Sequence, residues 1–327
     1  MHLHRTLACV AALLLAVVAQ GSAAGSPLPY ADAGPYAVVL SDVVELPARD
    51  DARAIPLRIA YPDADGPWPM IVFSHGMFSS NEKYMPIVEH WVSHGFVVLL
   101  PNHVDANRGV KVRGTADVEG IIRSRAADMS VLLDQLTSII ESVPAIKGQI
   151  APAPYVAAGH SVGTYVAMLA NGLAVRNPQS GEITKLEERR YGAVVMSSDP
   201  GKMALMPADL WLGVTVPTFL ATGTEDYGVM GDGNAPTTYE SEVLTGEGAP
   251  DGSKYLLLID GADHYFGGLV HRAPENVTPD PEGLAIFNAL STAFLSAYAK
   301  QHSADLNALR TRDVTAATGG RARLEIR

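Results

Sequence analysis

Thiol chemistry is almost absent from this chain. It has one cysteine, Cys9, in 327 residues. That cysteine lies in the N-terminal stretch "MHLHRTLACVAALLLAVVAQGSAAG", which has Arg5 and two histidines, an apolar run over residues 7–18, and then small residues. This is the pattern of a secretory signal peptide, with processing expected near Ala23 or Ala24. Residues 1–24 are therefore expected to be removed on export. The mature chain would hold no cysteine, which excludes a disulfide, a thiol nucleophile and a thiolate metal site. Cys9 precedes most of the apolar run instead of following it, which argues against lipidation there.

Long hydrophobic runs and excess positive charge are lacking too. The apolar run of residues 7–18 is too short to span a bilayer comfortably. No second run of about 18 apolar residues exists, so no membrane insertion is expected after the signal is removed. Lys and Arg number 24 against 35 Asp and Glu, for a net charge of −11. Removing Arg5 and no acid takes −11 to −12. With no long basic stripe, nucleic acid is not an expected partner. What remains is an ordinary globular composition, 47% hydrophobic and 18% charged with 30 Gly.

Residues 25–35, rich in Pro, Gly and Ala, read as a linker or extended arm. "AVVLSDVVEL" and "IPLRIAYP" then read as an antiparallel hairpin. Beyond Met70 short apolar runs alternate with longer amphipathic segments. "MIVFS", "FVVLLP", "YVAAG", "GAVVMSS", "PTFLATG" and "YLLLID" are strand cores. Helices are expected over "KYMPIVEHWVSHG", residues 121–142, "VGTYVAMLANG" stopped by Gly172, and residues 282–300. This alternation predicts one α/β domain over residues 36–327. Its sheet has about eight mostly parallel strands, with helices on both faces and no large cap domain. Residues 171–190 and 227–253 read as loop-rich. The "GDGN" in the second does not follow EF-hand spacing and reads as a Gly-rich turn, so no metal is expected.

In a parallel sheet, functional groups gather at the carboxyl ends of strands. In "AAGHSVGT", Ser161 occupies a sharp strand-to-helix turn, where Gly159 and Gly163 leave room for a strained backbone and a following helix. His264 follows "YLLLID" in "GADHYFGG", and a neutral imidazole there can take and return a proton. A carboxylate is needed to fix its tautomer. Asp226 in "ATGTED" is the first candidate, with Glu225 and Asp199 as rivals. The order Ser161, Asp226, His264 is that of the nucleophile-elbow hydrolases. In "FSHGMFSS" the backbone N–H of Met77 is placed to be one oxyanion donor, and the Val162 N–H the other. His75 reads as a loop brace. His103 reads as a loop-shaping hydrogen bonder or a cleft-lining residue. The side His160 faces is not readable.

"FSHG", "SHGFVVLLPNH", "RAADMSVLLDQL", "GHSVG" and "GADHYF" together resemble the α/β-hydrolase superfamily over most of the chain. Within it they resemble the predicted dienelactone-hydrolase and platelet-activating-factor-acetylhydrolase-like branch. "SHGFVV" and "VTVPTFLATGTED" also resemble cutinase-like polyesterases, including hydrolases of poly(ethylene terephthalate). The resemblance implies Ser161, Asp226 and His264 as a triad, with Met77 and Val162 at the oxyanion site. Three departures stand out. A true dienelactone hydrolase has a cysteine nucleophile. Acetylhydrolase relatives take their acid from the preceding strand, where Asp199 lies here. Cutinase-like relatives often carry a disulfide.

The expected protein is a secreted serine carboxylic-ester hydrolase without a cofactor, acting on small-molecule or polymeric esters through an acyl-enzyme. Phe78, Tyr265 and Phe266, with Met77, are candidate apolar walls for the substrate, or core. A serine peptidase or amidase uses the same groups. A non-catalytic binding protein of this fold would need a broken triad.

Overall fold

The computed structural model describes residues 27–48, 53–108, 111, 115–177, 179–198, 213–227, 250–271 and 277–327. The expected signal peptide, Asp199 and most of the 227–253 loop lie outside them.

The six apolar strand cores expected in the second part of the chain form the centre of the sheet. They are β4 (Met70–Ser74), β5 (Val97–Pro101), β6 (Tyr155–His160), β9 (Tyr191–Ser197), β10 (Thr218–Gly223) and β11 (Lys254–Ile259). They stand in the order β5-β4-β6-β9-β10-β11, all parallel. Each is apolar on both faces because both faces are covered. Side chains alternate between two cores. Met70, Val72 and Ala157 face one, while Ile71, Phe73 and Ala158 face the other. The first core is closed by α2 (Thr115–Asp134), α3 (Leu136–Ser142) and α4 (Val162–Leu169). The second is closed by α1 (Met85–Ser93) and α5 (Pro281–Tyr298), which bring in Trp91, Phe287 and Phe294. Burying each such side chain contributes about 1.5–3 kcal/mol.

Local signals set the helix limits. Asp280 caps α5 by accepting from the Gly283 N–H at 2.9 Å, and Pro281 sits in its first turn. After α1 the chain turns at Gly95, φ 82°, as a helix stop requires.

The sheet is wider than the sequence pattern indicates, with ten strands among the described residues. "AVVLSDVVEL" divides into β1 (Val38–Leu40) and β2 (Val44–Pro47), and both pair antiparallel with β3 (Ala54–Pro62). At the other edge, β12 (Ala322–Ile326) runs antiparallel to β11, following two short helices, α6 (Ser303–Thr311) and α7 (Val314–Ala317). The 171–190 segment is not loop. Its strands β7 (Asn171–Arg176) and β8 (Ile183–Glu187) form a hairpin. The Asn177 side chain accepts from the Gln179 and Ser180 amides and so makes the turn. Residues 27–35 dock on the domain. Tyr30 donates to Asp305 at 2.7 Å, and the Gly34 N–H donates to Ser93 Oγ at 2.8 Å.

Candidate active site

At the carboxyl end of β6 the chain reverses into α4, and Ser161 is the residue that turns it, with φ 55° and ψ −127°. A non-glycine residue in this region is strained and persists only where its surroundings fix it. Here the Ser161 N–H donates to the carbonyls of Ser197 (3.1 Å) and Ser198 (2.9 Å), while its own carbonyl accepts from Thr164 N–H and Oγ1. The glycines have separate reasons. A Cβ on Gly159 would run into the Gly163 backbone, and a Cβ on Gly163 into the carbonyls of Ser74 and His75. The turn is thus packed directly against the loop that follows β4. The Val162 amide is at the first position of α4, where helix N–H groups have no partner inside the helix.

His264 follows β11 and is buried. Its Nδ1–H donates to Asp226 Oδ1 at 2.7 Å, because a carboxylate only accepts. Asp226 is fully buried, and its second oxygen accepts from Thr222 Oγ1 at 3.0 Å. The bond fixes the tautomer and leaves Nε2 with its lone pair. Glu225 is exposed and accepts from the Tyr227 hydroxyl, so it does not compete for His264.

His160 joins the parts. Its ring centroid lies 4.9 Å from that of His264, and its Nε2–H donates to the His264 carbonyl at 2.8 Å. Its Nδ1 accepts from the Tyr84 hydroxyl at 3.0 Å, and that hydroxyl accepts from the Gly76 N–H at 2.8 Å. Burial, reinforced by neighbouring His264 and His271, pushes the His160 pKa well below the ordinary range and keeps it neutral.

The loop after β4 rests on a buried polar layer. His75 donates from Nδ1 to the Gly76 carbonyl and accepts at Nε2 from the His103 N–H. His103 in turn donates to Asp128 at 2.8 Å. Both rings are buried, and burial lowers both pKa values. His103 therefore shapes this layer. Beside it, Arg125 and Asp105 form an ion pair with neither side chain exposed. Burial alone would raise the Asp105 pKa, but the Arg125 guanidinium outweighs that and holds it well below the usual carboxylate range. Sequence reading passed over this pair. A signal exists: Arg125 falls on the apolar stripe of α2 that includes Val118, Ile122, Met129 and Leu132.

The expected apolar walls divide. The half-buried Tyr265 ring meets His264 edge-on at 4.9 Å, and Phe78 is half-buried in the loop after β4. Phe266 is 2% exposed and packs on Phe287 in the second core, so it is a core side chain and not a cleft wall. Tyr265 and Phe266 lie in one turn, where Phe266 at φ 49° is directed into the core while Tyr265 meets His264.

Comparisons with known proteins cover the first part of this site. The sequence model of a family described as Chlorophyllase matches residues 30–186, just under half of the chain. That span includes the β4 loop, Arg125 and Ser161 but ends before Asp226 and His264. Chlorophyllase-1 of Arabidopsis thaliana is 33% identical over 57 residues. This covers 17% of this chain and 18% of that protein, so the chain spans under a fifth of the curated relative's length. The sheet order and these matches together fit the α/β-hydrolase fold. Both matches carry the chlorophyllase name, and neither supports the dienelactone-hydrolase, acetylhydrolase or cutinase branch that the sequence motifs suggested. Among the described residues, no group of His, Cys, Asp and Glu is arranged to hold a metal ion, and no helix is long and apolar enough to cross a membrane.

Proposed function

We propose that the protein is a serine carboxylic-ester hydrolase. The observation that carries this reading is the buried 2.7 Å His264–Asp226 bond, on a loop tied to His160, the residue beside Ser161. Ser161 Oγ attacks the ester carbonyl and passes its proton to His264 Nε2. The Met77 and Val162 N–H groups receive the oxyanion, Asp226 stabilises the imidazolium, and His264 returns the proton to the leaving alcohol. Water, activated by the same His264, then hydrolyses the acyl-enzyme. No cofactor enters these steps. The N-terminal pattern supports export.

The substrate class is narrower than the chemistry. The half-buried Tyr265 against His264, and Phe78 next to Met77 in sequence, suit an apolar acyl or aryl group. Short acyl esters and polyester chains fit this reading. Chlorophyll joins them because the matched family and the matched protein are both named for it. A fluorophosphonate probe should label Ser161 in the folded protein and fail to label the Ser161→Ala variant. Unlabelled folded protein would end the reading. Rates on p-nitrophenyl esters of increasing chain length, a polyester film and chlorophyll rank the substrates. An aminoacyl-nitroanilide turned over faster than p-nitrophenyl butyrate would favour a peptidase.

A further inference from the structure

Every polar backbone group from the His75 carbonyl to the Phe78 amide has a partner except one. The Arg125 guanidinium donates to the His75 carbonyl and, at 3.2 Å, to the Gly76 carbonyl. The Gly76 N–H donates to Tyr84, and the Met77 carbonyl accepts from His271 Nε2 at 3.1 Å. The Phe78 N–H donates to Asp105 Oδ2 at 2.9 Å, and this residue has φ 60°. Asp105 is held by Arg125 through Nε at 2.8 Å and Nη2 at 2.5 Å. Among the described residues, the Met77 N–H has no acceptor.

This pattern has a geometric consequence. In a trans peptide the N–H points opposite to the C=O of the same plane. The Gly76 carbonyl and the Met77 N–H share a plane. Drawing that carbonyl to Arg125 aims the Met77 N–H the other way. The Asp105 bond to Phe78 fixes the next plane, in a left-handed conformation that a phenylalanine would not hold unaided. A buried ion pair is weak support for stability, since apolar replacements often do as well. Orienting three successive peptide planes is a role that apolar replacements cannot fill.

We propose that Arg125 and Asp105 are positioning residues that lock the 75–78 loop with the Met77 N–H presented to the oxyanion. The proposal rests on the ester-hydrolase reading and deepens it. Neither side chain touches the substrate. Both act through the backbone.

The test uses the full-length protein and the double variant Asp105→Asn/Arg125→Gln, which removes both charges together and strands neither. The probe is an aryl trifluoromethyl ketone. Ser161 Oγ bonds to its carbonyl carbon, the π pair moves to oxygen as the oxyanion, and the serine proton goes to His264. In the folded variant, kcat on p-nitrophenyl butyrate should fall about 10²-fold or more with KM within about threefold. Ketone affinity should weaken by a similar factor, since the adduct resembles the transition state. A folded variant that keeps both within about threefold overturns the proposal. Amide exchange in the wild-type protein, followed by NMR, decides independently of whether the variant folds. The Gly76 and Phe78 amides should be protected, and the Met77 amide should exchange until the ketone adduct forms. A Met77 amide protected before the adduct forms also overturns it. A wild-type protein that takes neither ketone nor fluorophosphonate at Ser161 overturns the ester-hydrolase reading instead.

Discussion

The His160 ring donates to the backbone carbonyl of His264 across 2.8 Å, so the residue beside the proposed nucleophile holds the loop of the proposed base. The same ring accepts from Tyr84, whose hydroxyl also holds the Gly76 amide. One phenol thereby ties the turn at Ser161 to the loop after β4. Tyr84→Phe removes that phenol and leaves two buried groups without a partner, the Gly76 N–H and His160 Nδ1. Each unsatisfied buried group costs about 1–3 kcal/mol. Urea unfolding of Tyr84→Phe should show a loss in that range or above it, and an unchanged midpoint would refute the coupling.

The acid is separable from its neighbour. Asp226 is buried on His264, and Glu225 is exposed on Tyr227. Asp226→Asn keeps the shape but offers an NH₂ or a neutral oxygen to His264, so the tautomer is no longer enforced. Under the proposed mechanism kcat should fall about 10⁴-fold. Glu225→Gln should stay within about threefold. Comparable losses in the two variants, read on p-nitrophenyl butyrate, would remove Asp226 from its role.

The six parallel strand cores were legible because each is an unbroken apolar run between turn residues. The turn at Ser161 was legible because its two glycines bracket it. Other parts were not, for physical reasons. β12 alternates Arg323 and Glu325 with small and apolar residues, the signature of a half-exposed edge, and such a strand has no contrast with a polar tail. The β7–β8 hairpin is hidden by its Gly and polar content. The direction of the His160 ring is set by Tyr84, 76 residues earlier, and by His264, 104 residues later. Sequence spacing carries no trace of either. Arg125 is an intermediate case, since a cation on an apolar helix stripe announces a buried partner without naming it.

Phe266 separates core from cleft by experiment. Its ring packs on Phe287 beneath the sheet, while Tyr265 meets His264. Phe266→Ala should lower stability by about 3–5 kcal/mol. The milder Phe266→Leu should remain folded with KM for p-nitrophenyl butyrate within about twofold. A several-fold rise in KM without loss of stability would return Phe266 to the substrate surface.

Three buried histidines set the acid side of the stability curve. His75, His103 and His160 are each 3% exposed or less, and burial depresses all three pKa values. The Arg125 cation adds to this at His75, His264 and His271 add to it at His160, and Asp128 opposes it at His103. Above about pH 6.5 these rings are neutral in both folded and unfolded chains and contribute no pH dependence. As pH falls below that value the unfolded chain binds protons first. The unfolded state then holds more protons than the folded one, and stability drops toward the depressed folded values. The limiting slope is about 1.4 kcal/mol per pH unit for each proton. Asp105, depressed by Arg125, adds a second loss only below about pH 4, where its unfolded carboxyl protonates. Urea midpoints should therefore be level from pH 8 to about 7 and fall steadily toward pH 5. His160→Gln should make that fall shallower by about one proton. A wild-type midpoint that stays level down to pH 5 would show that these rings are not held neutral by the fold.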